Sequence, residues 1–506
     1  MFRKIPYLFI LFLFFQPTLL LSKTESKKNN SHQVQVKVTF QEANFRTPWR
    51  SKNPSKRLSL GIYVGNNQIL VPASIITNHT LIEVKSNEEV SAKTANLIRL
   101  DYESDLAILE VKNPGNLFTG LNPVEFRANI ITKSNVHIVH LDHSGETEIL
   151  PGKIDNLTMG LYPEARIELP YLELSSSEKL RGFGELILKK DNTVVGMLNE
   201  FNKSSGKGRV IPSQIIYYFL KEHQSFAYKG FNYRPIIDKT TSTYYGMGKD
   251  DSGVLVTETF INSTADKILK PEDIILKIGD FTLDGKGRIL HPKYGRISFL
   301  YLLQSGQEFG YTIGKSVPVQ IIRDKKKLNL TLKLKSFPED AILIPHGATR
   351  DETPAYFSFG GFIFIELSEF YMKEYGRNWR TNVDKKMLYL LDYHKFRKKN
   401  SDPKRIVYLM QVLPDDGNTG YHDIRQVRLN KFNGERVDSI EDLQNKFVTV
   451  PLTESVTLTL EDGVEIVIGK SKIQEIDSRI QKNFQIPNLY QPSTKASKSH
   501  VEEVVK

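Results

Sequence analysis

From residue 34 to about 220, apolar and polar residues alternate in short runs such as VQVKVTF (34–40), LSLGIYV (58–64), TLIEVKS (80–86) and DLAILEV (105–111). Gly, Asn or Pro separates the runs at short intervals. Alternation with a period of two places one face of a strand inward and the other outward. Many short strands joined by turn residues predict an all-β barrel or sandwich. The first clear helical stretch is PSQIIYYFLKEH (212–223), with Pro212 suited to an early helix position.

A second unit, 230–336, has a different rhythm. GVLVTETF (253–260) is followed by STADKILKPEDIILKIGDFTL (263–283), a helix-like ISFLYLLQS (297–305) and a closing strand pair, SVPVQIIRD and LNLTLKLKS. A third unit, 337–484, repeats part of this plan in IVYLMQVLPDD (406–416), VRLNKFNGERVDSIEDLQNKF (427–447) and SVTLTLEDGVEIVIG (455–469). In both, an apolar strand leads through ILKIGD or LNKFNG to a helix. Two copies of one α+β domain type fit this better than one large domain. Residues 23–43 read as a disordered lead-in, beginning with the aperiodic KTESKKNNSHQ, and 485–506 as a mobile tail.

The first 22 residues combine a basic start (Arg3, Lys4), an apolar block from Tyr7 to Phe15, then Pro17 and the small Ser22. This is the order of a secretory signal peptide, with cleavage expected near Ser22. An uncleaved anchor is the alternative, although the apolar run stops at Gln16 and is short for a span. The chain contains no cysteine. Disulfides, cysteine-ligated zinc and acylation of an N-terminal cysteine are thereby excluded. No cofactor is called for, and the 11 histidines show no paired-ligand spacing with carboxylates, so no metal site is expected. The formal charge of +11 is spread along the chain without aromatics interleaved among arginines, which argues against a nucleic-acid partner. Weak association with anionic membrane surfaces is compatible with it; solubility is the plainer explanation.

ADKILKPEDIILKIGDFTL (265–283) resembles the PDZ domains of HtrA/Deg serine proteases. VIPSQIIYYFL (210–220) is similar to the end of their protease domain. LIPHGATRDETPAYFSFGGFIFIELSEFYMKEYG (343–376) and QVLPDDGNTGYHDIRQVRLNKFNGERVDSIEDL (411–443) resemble the second PDZ domain of a Deg subgroup best known from plants. The resemblance implies a mainly β fold: a chymotrypsin-like double β-barrel over 44–224, followed by PDZ domains at 230–336 and 337–484. It also implies a triad ordered His, Asp, Ser, with backbone N–H groups holding the oxyanion.

Carried over position by position, Asp105 of LDYESDLAILEV takes the orienting role. ILVPASII (69–76) matches the strand and turn that should bear the histidine and has Ser74 there. LRGFGEL (180–186) matches the nucleophile loop, with Gly182 in place of the serine and Glu185 in place of a proline. His79 of TNH (77–79) is an alternative base if the register slips by five residues. Ser175, Ser176 and Ser177 lie upstream of the loop, and Lys179 is a conceivable Ser–Lys partner. A hydroxyl is a very poor base near neutral pH, so Ser74 does not replace histidine.

What remains is peptide binding by strand addition. The resemblance assigns the first PDZ groove to Tyr233, Arg234, Ile236 and Leu300; Pro235 removes an N–H donor there. FSFGGFIFIEL (357–367) keeps two glycines in the second domain, which in this subgroup is associated with assembly. The expected partners are unfolded or C-terminal polypeptide segments and further copies of the chain. A trimer through Phe40, Phe45 and Trp49 is weighed against these rings covering their own barrel. The reading is an exported, catalytically silent pseudoprotease in the periplasm or cell envelope. Against it stand a divergent active endopeptidase using His79 and, more remotely, an unrelated structural envelope protein.

Overall fold

The computed structural model describes residues 32–86, 91–142, 146–222 and 226–493. The proposed signal segment and the end of the tail lie outside them. The first half of the N-terminal unit contains β1 (Gln33–Phe40), β2 (Ser55–Gly65), β3 (Gln68–Pro72), the short turn α1 (Ala73–Ile76), β4 (His79–Lys85), β5 (Lys93–Thr94), β6 (Asn96–Asp101) and β7 (Leu106–Glu110). They form a seven-stranded antiparallel sheet in the order β5-β4-β1-β2-β3-β7-β6. β1 corrects the boundary drawn for a disordered lead-in: Val34, Val36 and Val38 alternate into the core, and the strand pairs with β2 and β4.

The second half contains β8 (Ser134–Leu141), β9 (Thr147–Gly160), β10 (Leu169–Ser175), β11 (Leu186–Leu188), β12 (Val194–Asn202) and β13 (Lys207–Pro212), followed by α2 (Ser213–Glu222). Its strands close into a barrel in the order β10-β13-β12-β11-β8-β9. One apolar cluster lies between the halves. It joins Ile62, Leu70 and Leu106 of the first to Leu186, Met197 and Ile211 of the second, and α2 adds Ile215, Ile216 and Phe219. The open sheet and the closed barrel together make the expected mainly β, chymotrypsin-like architecture.

The middle unit runs β14 (Phe231–Pro235), α3 (Lys239–Tyr244), β15 (Val254–Thr259), β16 (Ile274–Ile278), β17 (Phe281–Thr282), β18 (Arg288–His291), β19 (Gly295–Ser298), α4 (Leu300–Ser305), β20 (Ser316–Arg323) and β21 (Lys326–Lys333). Its main sheet follows β14-β15-β16-β20-β21. The last unit runs β22 (Tyr356–Phe359), β23 (Phe362–Glu366), α5 (Glu369–Lys373), α6 (Trp379–Asn382), α7 (Lys385–His394), β24 (Val407–Val412), β25 (Val427–Phe432), β26 (Glu435–Arg436), α8 (Ile440–Thr449), β27 (Ser455–Leu460), β28 (Glu465–Gly469), α9 (Lys470–Phe484) and β29 (Tyr490–Gln491). Its sheet order, β28-β27-β25-β24-β23-β22-β29, contains the same five-strand path with β22 and β29 added at one edge. Pairing of β29 with β22 extends this unit past residue 484, where the tail was expected to begin.

Of the lead-in aromatics, Phe40 ends β1 with Arg57 over its ring, whereas Phe45 and Trp49 do not cover their own barrel. Phe45 packs on Phe370, with ring centroids 5.3 Å apart, and Trp49 meets Tyr356 at 6.1 Å. Phe45 is buried in the core of the last unit, and Trp49 packs against it. Large apolar rings seek the largest apolar surface within reach, and here that surface belongs to a domain far along the sequence. The segment between β1 and β2 therefore docks the last unit onto the N-terminal one.

Candidate functional site

β3 ends at Pro72, and α1 turns the chain so that Ser74 faces the loop before β7. The Ser74 N–H donates to Asp105 Oδ1 at 2.6 Å, its hydroxyl lies 3.2 Å from Oδ2, and the Ala73 N–H donates to the Asp105 carbonyl at 3.0 Å. Asn199 of β12 donates to Oδ2 at 3.2 Å, so this carboxyl joins the two halves. Asp105 is fully buried, with a left-handed backbone at φ 53°. Burial raises its pKa to about 7, against the lowering effect of the Ser74 and Asn199 hydrogen bonds.

The other candidate bases lie elsewhere. His79 begins β4, and its Nδ1 is 2.9 Å from the Ile76 carbonyl, which makes that nitrogen a donor. Ser175 contacts Asp155 and Lys207 at 2.5 and 2.6 Å, and Ser176 donates to the Pro151 carbonyl. Lys179 and Ser177 are exposed.

The nucleophile loop is shaped around a carboxylate of its own. Gly182 has φ +96°, and a Cβ there would lie 3.0 Å from Phe201 Cβ and 3.1 Å from its backbone nitrogen. The N–H groups of Arg181 and Gly182 both donate to Glu185 Oε1, at 2.8 and 3.0 Å. Glu185 is fully buried, with His140 Nδ1 3.5 Å from the same oxygen. In a serine protease the N–H of the nucleophile residue helps hold the oxyanion. At Gly182 that donor is already taken. Gly184 is held as closely, since at φ +91° a side chain would strike the Leu60 carbonyl.

The four residues assigned to the first PDZ groove do not share one surface. Tyr233 packs edge-on against Phe299, with centroids 4.9 Å apart, and Leu300 is buried in the same cluster. Ile236 is buried in a separate cluster with Leu255, Ile274 and Leu276, and Arg234 is exposed. This corrects the expectation of a groove lined by Ile236 and Leu300: Ile236 follows β14 into one core, while helix α4 carries Leu300 into another. All six residues of α4 are buried, and Tyr301 bonds Gln214 of α2 at 3.3 Å, which joins this helix to the barrel.

In the last unit the glycine pair is a hairpin turn. Gly360 and Gly361 have φ of 59° and 83°, which the two-residue turn between β22 and β23 requires. β22 is fully buried, and its Phe359 stacks on Phe447 of α8 with centroids 4.6 Å apart. Strand β22 thus lies between β23 and the helix, where an added peptide strand would run. The Gly360 N–H is also taken, donating to Asp477 Oδ1 at 2.7 Å.

Comparison with known proteins gives this geometry its context. Residues 344–492 match a family described as PDZ domain. The chain is 25% identical over 463 residues to the mitochondrial Do-like 3 protein of Arabidopsis thaliana, spanning 90% of this chain and 78% of that one. To the mitochondrial Protease Do-like 4 of the same plant it is 23% identical, spanning 90% and 84%. The chain is similar to Do-like proteins over most of its length, with a PDZ match in its last unit. Among solved structures, an HtrA-type protease AlgW bound to a decapeptide covers 61% of this chain and 96% of its own, at 14% identity and a TM-score of 0.44.

Sequence reasoning missed the rim of this site. Arg57 donates to the carbonyls of Ser74 and Thr77 at 3.2 and 3.0 Å, and its cation lies 3.6 Å from the Phe40 ring centroid. Residues 347–352, near the start of the PDZ match and before β22, reach this rim. The Asp351 carboxylate accepts from the Asn78 N–H and the Tyr102 hydroxyl. Arg350 donates to Glu103 Oε1 and to the Glu164 carbonyl, both at 2.7 Å. The run of charge in HGATRDETP was the available signal, but nothing local says what such a run meets.

Proposed function

We propose that this HtrA/Deg-like chain is a pseudoprotease that binds extended polypeptide segments without cleaving them. One observation carries the reading: the buried Asp105 carboxyl is bonded to Ser74, a residue with no basic nitrogen, where a histidine would be oriented. The Glu185 carboxylate on the Gly182 N–H supports it, since an anion already fills a donor that acyl transfer needs. The test incubates purified protein with unfolded casein and a serine-directed fluorophosphonate. Neither cleavage nor labelling is expected; cleavage lost in His79→Ala would establish the active-endopeptidase alternative.

Binding is assigned to β14. It ends its sheet, and an extended peptide adds to such an edge through main-chain hydrogen bonds. The chemical class is an unfolded or C-terminal segment, with the exposed Arg234 beside the strand for a carboxylate. Export to the periplasm or cell envelope is proposed from the apolar segment at 7–15, and mass spectrometry of the mature N-terminus decides it. Self-association is proposed from family resemblance alone, because Phe45 and Trp49 pack within the chain. Sedimentation equilibrium at micromolar concentration tests it.

A further inference from the structure

Arg350 and Asp351 are consecutive non-glycine residues with left-handed backbones, at φ 46° and 63°. They are the central pair of a β-turn closed by the Glu352 N–H on the Thr349 carbonyl at 2.8 Å, which presents both side chains outward to the N-terminal unit. Their contacts come from both halves of the N-terminal unit. The first half supplies the Asn78 N–H and Tyr102 hydroxyl to Asp351, Glu103 to Arg350 and the Asn78 amide to Thr349 at 3.5 Å. The second half supplies the Glu164 carbonyl to Arg350 and the Arg166 guanidinium to Glu352 at 3.3 Å. Asn78 lies just beyond α1, which carries Ser74, and Tyr102 and Glu103 lie in the turn that leads to Asp105.

We infer that residues 347–352 form a releasable strap that closes over the two turns carrying Ser74 and Asp105. Two attachments of opposite chemistry hold the last unit to the barrel. The Phe45 and Trp49 rings are apolar, whereas the strap is held by charge-assisted hydrogen bonds in which Arg350 and Arg166 are largely buried and Glu352 is more open. Weakening the ionic set lifts the strap while the aromatic anchors keep the domain docked. The strap is independent of whether the site cleaves anything: it would screen a silent site and gate an active one alike.

Hydrogen exchange on the full chain tests this, comparing wild type with Arg350→Ala and Asp351→Ala. Exchange in segments 76–80 and 100–104 is expected to rise by about tenfold in either variant. Strands β15 and β16 of the middle unit should stay unchanged. Wild type in about 1 M salt, where the screening length falls to about 3 Å, is expected to show a smaller rise at the same segments. Unchanged exchange at the rim in both variants overturns the strap. If a variant loses protection throughout the chain, the salt arm decides: a local rise supports the strap and its absence overturns it.

Discussion

In the first PDZ-type unit β14 ends its sheet, whereas the strand in the corresponding place of the second, β23, has β22 on that side and β29 beyond it. The two units share a five-strand path and a helix after the strand–loop motif. They differ in whether the ligand's place is vacant or built in. In the second unit both halves of a ligand's contribution are supplied internally: β22 is the added strand, and Asp477 is the carboxylate on a glycine N–H. The barrel follows the same pattern, with Glu185 on the amides of Arg181 and Gly182. Filling a recognition site from within preserves the fold around it while occupying the groups a ligand would use.

The comparison can be broken most severely at β22. If that strand is core rather than ligand, Phe359→Ala should cost about 3–5 kcal/mol in chemical denaturation, as buried aromatic truncations do. Loss of less than about 1 kcal/mol would mean that β22 leaves its groove readily.

Asp477 gives the next largest effect. Burial raises its pKa to about 7 from an ordinary carboxyl value of about 4, so between these values the folded chain holds a proton that the unfolded chain has released. Stability from this group therefore falls as pH rises from about 4 to 7 and is level above that. Asp477→Asn keeps an acceptor for Gly360 and should flatten that slope, leaving the variant the more stable of the two at pH 8 by at most about 4 kcal/mol. Denaturation midpoints across pH, read as variant minus wild type, separate it from Asp105 and Asp101, which burial also raises.

On the vacant side, Tyr233→Pro removes a main-chain donor from the free edge of β14, because Val256 opposite it bonds toward β16. Affinity for an extended apolar peptide should fall by about tenfold or more, roughly 1.4 kcal/mol, in a calorimetric titration. An unchanged affinity would move the binding surface off β14. The smallest effect is expected of Arg234→Ala. An exposed charge contributes less than about 1 kcal/mol, so affinity for a peptide with a free carboxylate should fall less than fivefold, and the difference should vanish at high salt.

Much of this difference was legible along the chain, and its limits are instructive. Period-two alternation located β2, β4, β7 and the paired strands of both later units, because each depends on neighbouring residues. The match of ILVPASII and DLAILEV to family strands put Ser74 and Asp105 at related positions, and they meet in the fold. The glycine pair of FSFGG was noticed, but a positive-φ turn and an anion-binding loop use the same residue, so its role depended on where β22 lay. Ile236 and Leu300 were assigned together, although the face of each is set by its strand register and helix placement. Glu185 was read only as the loss of a proline, since nothing in LRGFGEL reveals that the carboxylate folds back onto its own amides. Phe45 and Trp49 stood out as apolar rings in a polar stretch, but their partners are far along the chain.

That last distance has a consequence for how the molecule is made. Synthesis delivers the N-terminal unit first, and domains ordinarily fold as they emerge. Here Phe45 and Trp49 must wait, uncovered, until Phe370 and Tyr356 have been made. A contact between such remote residues forms late and slowly, because a long loop must close before it is rewarded. During that interval the nascent barrel displays two aromatic rings at one end. That is the kind of surface a chaperone holds, so the chain, read here as a binder of extended polypeptides, begins its own life as a client.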